Sequence, residues 1–202
     1  MRKRNGWIGA VGVVWLLAGC GRGPQLAPLS ADSVVLCFGD SLTAGTGAEP
    51  AESYPAVLAE RLGCRVVNAG VPGEVTAEGL ERLPGLLRRH EPDLVILCHG
   101  GNDMLRQEHD AALAARVRAM IEASQASGAE VLLLGVPRPG LFLRAPRFYE
   151  EVAQACGVPY DRKTLPALLG RRSLKSDLLH PNAAGYRLLA ERVAAQLRAR
   201  AR

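Results

Sequence analysis

Aromatic side chains are scarce: three Phe, two Trp and four Tyr make up 4% of 202 residues. Single-stranded nucleic acid is held by aromatics set among basic residues, and no such stripe exists here, so a nucleic-acid partner is not expected. The same poverty counts against a long carbohydrate cleft. Four histidines and five cysteines are present, and none is spaced with a carboxylate in a way that resembles a metal site. No segment repeats. Apolar residues are 48% and charged residues 22%, ordinary for a globular domain, which excludes a disordered chain and a multi-span membrane protein. The length supplies one sizeable core but not two ordinary ones.

A hydrophobic run long enough to cross a bilayer is also missing. Met1-Arg2-Lys3-Arg4 is a basic head, and the apolar stretch from Trp7 to Ala18 covers about a dozen residues where a span needs roughly 20. Residues 1–19 therefore read as an export signal, with a buried N-terminal helix or a signal anchor as the other reading. The stretch ends in Leu17-Ala18-Gly19-Cys20, which resembles the bacterial lipobox and marks Cys20 for lipidation after cleavage. Acyl chains on Cys20 would anchor the protein to a membrane without a transmembrane helix, in a bacterial cell envelope and facing the periplasm. Charge imbalance largely disappears with the leader. The chain has 25 basic and 20 acidic residues, and Arg2, Lys3 and Arg4 lie in the leader, which leaves an excess of two. Arg171-Arg172 reads as a solvated loop, and Arg198, Arg200 and Arg202 as the end of a helix, where positive charge suits the dipole.

Residues 20–33 hold Gly, Pro and small polar residues without a period, and read as a flexible tether after the lipidated cysteine. From residue 34 to 202 the pattern changes. Apolar runs of strand length, Val34 to Phe38, Arg65 to Asn68, Leu94 to Cys98, Val131 to Leu134 and a short one at Val158 to Tyr160, alternate with helical patterns. The helices predicted are Ser53 to Leu62, Thr76 to Arg89, Ala111 to Ser127, Pro146 to Cys156 and Ala183 to about Arg198, the last capped by Asn182. Pro84-Gly85 predicts a break or kink in the second. Strands alternating with helices predict an α/β fold, a three-layer α/β/α sandwich on a five-stranded parallel sheet, with ligands at the carboxyl ends of the strands.

Three segments follow directly on predicted strands and should meet at one sheet edge. The first strand ends in Gly39-Asp40-Ser41-Leu42, the second in Asn68-Ala69-Gly70-Val71-Pro72-Gly73, and the third in Gly100-Gly101-Asn102-Asp103. Far downstream, Asp177-Leu178-Leu179-His180-Pro181-Asn182 supplies a carboxylate and an imidazole three residues apart. A serine hydroxyl needs a base to become a nucleophile, and the base needs a carboxylate to fix its ring, so one loop offers both partners for Ser41. Asp40 is a poor substitute, because adjacent residues in an extended stretch project oppositely, and it is expected to bind nearby amides instead. Each block alone is equally well an ordinary turn or surface loop. Their order at strand ends is what argues for a site.

Taken together the four blocks resemble the SGNH subgroup of the GDSL esterases and lipases, and within it the small bacterial lysophospholipase, thioesterase and arylesterase branch. The resemblance runs from about Val34 to the last helix. It implies a flavodoxin-like fold with no metal and no bound cofactor, Ser41 as nucleophile, His180 as base, Asp177 as its orienting carboxylate, and Ser41, Gly73 and Asn102 as the oxyanion hole. Similarity to that branch fades over Arg138 to Arg147, where substrate range would be set. The function expected is hydrolysis of carboxylic esters or thioesters of short to medium acyl groups, lysophospholipids among them, by a monomer. A carbohydrate O-acetyl esterase is the enzymatic alternative, and a catalytically idle envelope lipoprotein the alternative of another class.

The remaining candidates divide between site and core. His99 either touches the site or is a packed, hydrogen-bonded imidazole, whereas His90 and His109 read as surface residues. Cys37 and Cys98 read as small core residues, and Cys64 and Cys156 end different helices without a confident disulfide. Leu141-Phe142-Leu143, Phe148-Tyr149 and Met104-Leu105 either line an acyl pocket or pack beneath a loop.

Overall fold

The computed structural model describes residues 24–140 and 142–201, so the leader, Cys20, Leu141 and Arg202 lie outside the described residues. Five strands form one sheet: β1 (Val34–Gly39), β2 (Arg65–Gly70), β3 (Leu94–Cys98), β4 (Glu130–Leu134) and β5 (Tyr160–Asp161). Their order is β2-β1-β3-β4-β5 and every pairing is parallel. β3 is buried throughout and β1 at all but its first residue, because helices cover both faces and leave no side of these strands for water. Each fully buried Leu, Ile or Phe on them contributes about 1.5–3 kcal/mol.

The helices are α1 (Ser41–Ala44), α2 (Tyr54–Leu62), α3 (Thr76–His90), α4 (Gly101–Leu105), α5 (Asp110–Ala126), α6 (Arg147–Cys156), α7 (Thr164–Leu169) and α8 (Ala183–Arg200). α2 and α7 pack on α8, while α5 packs between α3 and α6, which gives the two outer layers. Asn182 caps α8 as expected, its side chain accepting from the Gly185 amide at 3.0 Å. The break expected at Pro84-Gly85 does not divide α3, which runs through both residues. Gly79, Leu83 and Leu87 hold its buried face to the core, and Pro84 and Gly85 fall on the less buried side, so packing outweighs the lost backbone hydrogen bond. The last strand lies later than expected, because Val158 is buried and Tyr160 and Asp161 are the residues that pair with Leu133 and Leu134.

Strand register sets the working edge. Gly39 lies opposite Gly70 on one side and Cys98 on the other, so the loops after β1, β2 and β3 leave the sheet at one level. Gly39 also has no room for a side chain, since a Cβ there would fall 1.9 Å from the Cys98 carbonyl oxygen. The opposite edge corrects the reading of residues 20–33 as a free tether. From Pro24 onward that segment is bound to the domain: Leu26 is buried, its amide donates to the Arg200 carbonyl at 2.9 Å, and Arg200 in turn donates to the Pro24 carbonyl at 3.1 Å. An apolar leucine beside Leu62, Leu94 and Leu197 gains more by burial than a solvated chain would. Among the described residues no helix is long and apolar enough to cross a membrane.

Candidate active site

Ser41 opens α1, directly after β1. Asp40 precedes it and binds a nearby amide as expected: its carboxylate accepts from the Leu42 amide at 3.1 Å, which also caps the short helix. Burial pushes the Asp40 carboxyl above its ordinary value, against the pull of His99 and of the Leu42 and Gly101 amides. Asp40 therefore shapes the turn under Ser41, and makes no hydrogen bond to the hydroxyl.

The partner of that hydroxyl comes from the other end of the chain. His180 Nε2 lies 3.0 Å from Ser41 Oγ, and His180 Nδ1 lies 2.8 Å from Asp177 Oδ2. The second oxygen of Asp177 accepts from the amides of Leu179 at 2.7 Å and His180 at 2.8 Å, so one carboxylate fixes both the loop and the ring. What burial Asp177 has pushes its carboxyl up, but the His180 ring and these two amides outweigh it and hold it at about 2. The loop is pinned at its base as well. Lys175 and Pro181 form an antiparallel bridge, and the Asn182 side chain donates to the carbonyls of Ser173 and Lys175. A carboxylate that orients an imidazole, with the other ring nitrogen on a serine hydroxyl, can draw off the proton as that oxygen attacks a carbonyl carbon.

Gly73 and Asn102 reach the same place from β2 and β3. Together with Ser41 and His180 they line one cavity of about 600 Å³. Its wall is mostly apolar, with Leu105, Val136, Leu143, Leu169, Leu178 and Leu179 among the lining side chains. Leu105 and Leu143 thus fall where an acyl pocket was one of two readings. Met104, Phe148 and Tyr149 are buried in the core, the last two stacked with ring centres 4.1 Å apart, and Phe142 is exposed away from the cavity lining. Val136, Leu169 and the Leu178-Leu179 pair are wall residues that the sequence reading did not assign, although both leucines sit between the carboxylate and the imidazole.

His99 is fully buried and hydrogen-bonded, and does not line the cavity. Cys37 and Cys98 are buried in the sheet, and burial pushes the Cys37 thiol up to about 12 and the Cys98 thiol well above its ordinary range. Cys64 and Cys156 are half-buried free thiols. Among the described residues no group of three or more His, Cys, Asp or Glu is placed to hold a metal ion.

A doubly wound parallel sheet with a serine, an imidazole and a carboxylate linked at its carboxyl edge is the plan of an acyl hydrolase. The chain belongs to the GDSL-like Lipase/Acylhydrolase family, whose model matches residues 37–188, and it is an ester hydrolase of the GDSL type. It is 34% identical to the Esterase TesA of Pseudomonas aeruginosa over 88% of this chain and 94% of that one. It is 31% identical to the Thioesterase 1/protease 1/lysophospholipase L1 of Escherichia coli K12, over 83% of this chain and 85% of the other. The crystal structure of a psychrotrophic esterase, EstA from Pseudoalteromonas, inhibited by monoethylphosphonate, superposes with a TM-score of 0.73 at 25% identity, covering 83% of this chain and 98% of that one.

Proposed function

We propose that the chain hydrolyses carboxylic esters or thioesters of short to medium acyl groups, lysophospholipids among them, through an acyl-enzyme on Ser41. The observation that carries the reading is the continuous hydrogen-bonded line from Ser41 Oγ through His180 to Asp177, opening into an apolar cavity. In the first step Ser41 Oγ attacks the substrate carbonyl carbon while its proton passes to His180 Nε2. The negative oxygen of the tetrahedral intermediate is held by the Ser41 and Gly73 amides and the Asn102 side chain. Collapse breaks the bond to the alcohol or thiol, which leaves with the proton from His180. Water then repeats the sequence on the acyl-enzyme, releasing the acid and restoring Ser41.

The apolar wall favours an acyl chain over a sugar, and the names of two relatives, an esterase and a thioesterase/lysophospholipase, support the same class. Cys20, in this reading, carries the lipid anchor that holds a monomer in the cell envelope. A panel of acyl esters, acyl thioesters and acetylated sugars, run on protein lacking residues 1–20, tests the substrate. Turnover is expected to be highest on acyl esters or thioesters, and acetylated sugars as best substrates would move the assignment to the O-acetyl esterase. A fluorophosphonate probe should label the protein and fail on Ser41→Ala; labelling that survives would remove Ser41 as nucleophile. Cys20→Ala should shift the full-length protein from membranes to the soluble fraction.

A further inference from the structure

The β2–α3 and β3–α4 loops are joined by more bonds than two neighbouring turns need. Asn102 Nδ2 donates to the backbone carbonyl of Glu74 at 2.9 Å. A carbonyl only accepts, so this contact selects the amide orientation of Asn102 and leaves its second N–H for another acceptor. The Glu74 side chain meanwhile turns back to the start of the same segment. Its Oε2 lies 3.1 Å from His99 Nε2, three residues before Asn102. His99 Nδ1 accepts from the Gly100 amide at 3.0 Å, so the proton of the neutral ring sits on Nε2 and is donated to Glu74. Residue 74 therefore grips the 99–102 segment at both ends.

The grip is buried and braced. His99 is fully buried and the Glu74 side chain is 5% exposed. Arg82 forms a fork on the carboxylate, Nε to Oε1 and Nη2 to Oε2, both at 2.7 Å, and Nη2 also donates to the Ala69 carbonyl at the end of β2. The guanidinium lies 4.5 Å over the Phe38 ring, whose centre is 5.8 Å from that of His99. Tyr149 donates to the His99 carbonyl at 2.7 Å. Gly79 makes room for the ring, since a Cβ there would meet His99 Nε2 at 2.5 Å. Burial pushes the Glu74 carboxyl up, but His99 and Arg82 outweigh it and hold it at about 2, so the charge that Arg82 and His99 need is present at neutral pH.

We infer that Glu74 and His99 are positioning residues: their contact, braced by Arg82, fixes the Gly73 amide and the Asn102 side chain at the spacing an oxyanion requires. The inference rests on the reading of Gly73 and Asn102 as oxyanion donors. Neither Glu74 nor His99 lines the cavity, and both act through their neighbours. Donors that meet charge only in the transition state change kcat and leave KM alone, and misplacing one should therefore do the same.

The test is a set of variants whose active sites are counted by fluorophosphonate titration, with kcat and KM read per active site. His99→Leu, which removes the donor and keeps an apolar bulk, is expected to lower kcat about 10-fold or more with KM within about twofold. His99→Gln, whose amide can still donate to Glu74, is expected to recover most of that loss. Glu74→Gln, which keeps the carbonyl to Asn102 but weakens the Arg82 fork, should fall between, and carries the test if His99→Leu does not fold. In an Asn102→Ala background the His99→Leu loss should shrink, because one of the two donors it positions is gone. A His99→Leu kcat equal to the parent, or an equal loss with and without Asn102, overturns the positioning role. If Asn102→Ala alone leaves kcat intact, the oxyanion reading fails, and the inference with it.

Discussion

The two sides of Ser41 are built by opposite means. On one side, His180 and Asp177 lie three residues apart in a single loop, half exposed, with the Asp177 side chain at 54% and Leu178 at 87%. Bonds among residues 173–185 close that loop. On the other side, Gly73 and Asn102 come from different strands and are set by buried contacts between residues about 25 apart. Asp103 adds to them, its buried carboxylate accepting from the Thr76 amide and hydroxyl at the start of α3. The groups proposed to move protons thus sit on a local, solvated loop. The groups proposed only to aim dipoles are backed by buried contacts. Proton transfer tolerates water and small adjustments of a ring, whereas a preorganised dipole is worth most where it is dry and cannot turn.

If that contrast is right, its effects should rank. The largest is expected at the base: His180→Ala should lower kcat by about 10⁴-fold or more, because serine and imidazole act as a unit, with thermal stability little changed since the loop is solvated. A comparable loss of stability would mean that the loop is part of the core. Next comes Asn102→Ala, with about 10²–10³-fold off kcat and KM nearly constant in steady-state assays. A rise in KM instead would show that Asn102 binds substrate equally in ground and transition states.

The third effect is a pH dependence. Asp177 is held at about 2, below its ordinary value of 3.8, so its bond to His180 stabilises the loop fully above that ordinary value and is lost as pH falls through about 2. Melting temperatures of the parent and Asp177→Asn should therefore differ by a constant amount from pH 7 to about 4 and converge toward pH 2. A gap that closes near pH 6 would assign the coupling to another group. The smallest is Leu178→Ser, which should raise KM a few-fold for longer acyl chains while acetyl esters are unaffected, since one apolar contact is worth about 1–3 kcal/mol.

The same contrast explains what the sequence could disclose. Ser41, Asp177 and His180 stand out because a strand-end serine and a three-residue carboxylate–imidazole spacing are local patterns. β1, β3 and β4 are legible as continuous apolar runs, and their parallel order follows from the helices between them. The helices α1, α4 and α7 are four to six residues long, too short for an apolar period to register. β5, with two residues, offers no alternation at all. The pairing of Glu74 with His99 is invisible in the sequence, since neither residue has a local reason to be buried and only the register of β2, β1 and β3 brings them together. Leu26 was hidden in the same way: among Gly and Pro it looks like linker, and only the groove between α2, α8 and the sheet gives it a place.

That groove also orients the molecule. α8 begins three residues after His180 and ends at the residue that holds Pro24, so its 18 residues put about 27 Å between the mouth of the cavity and Pro24. Gly21, Arg22 and Gly23 are all that separate Pro24 from Cys20, a reach of about 14 Å. An acyl group on Cys20 would then hang the enzyme by its far pole, like a lamp from a ceiling. The mouth would look away from the lipid that carries it and meet esters arriving from the open side.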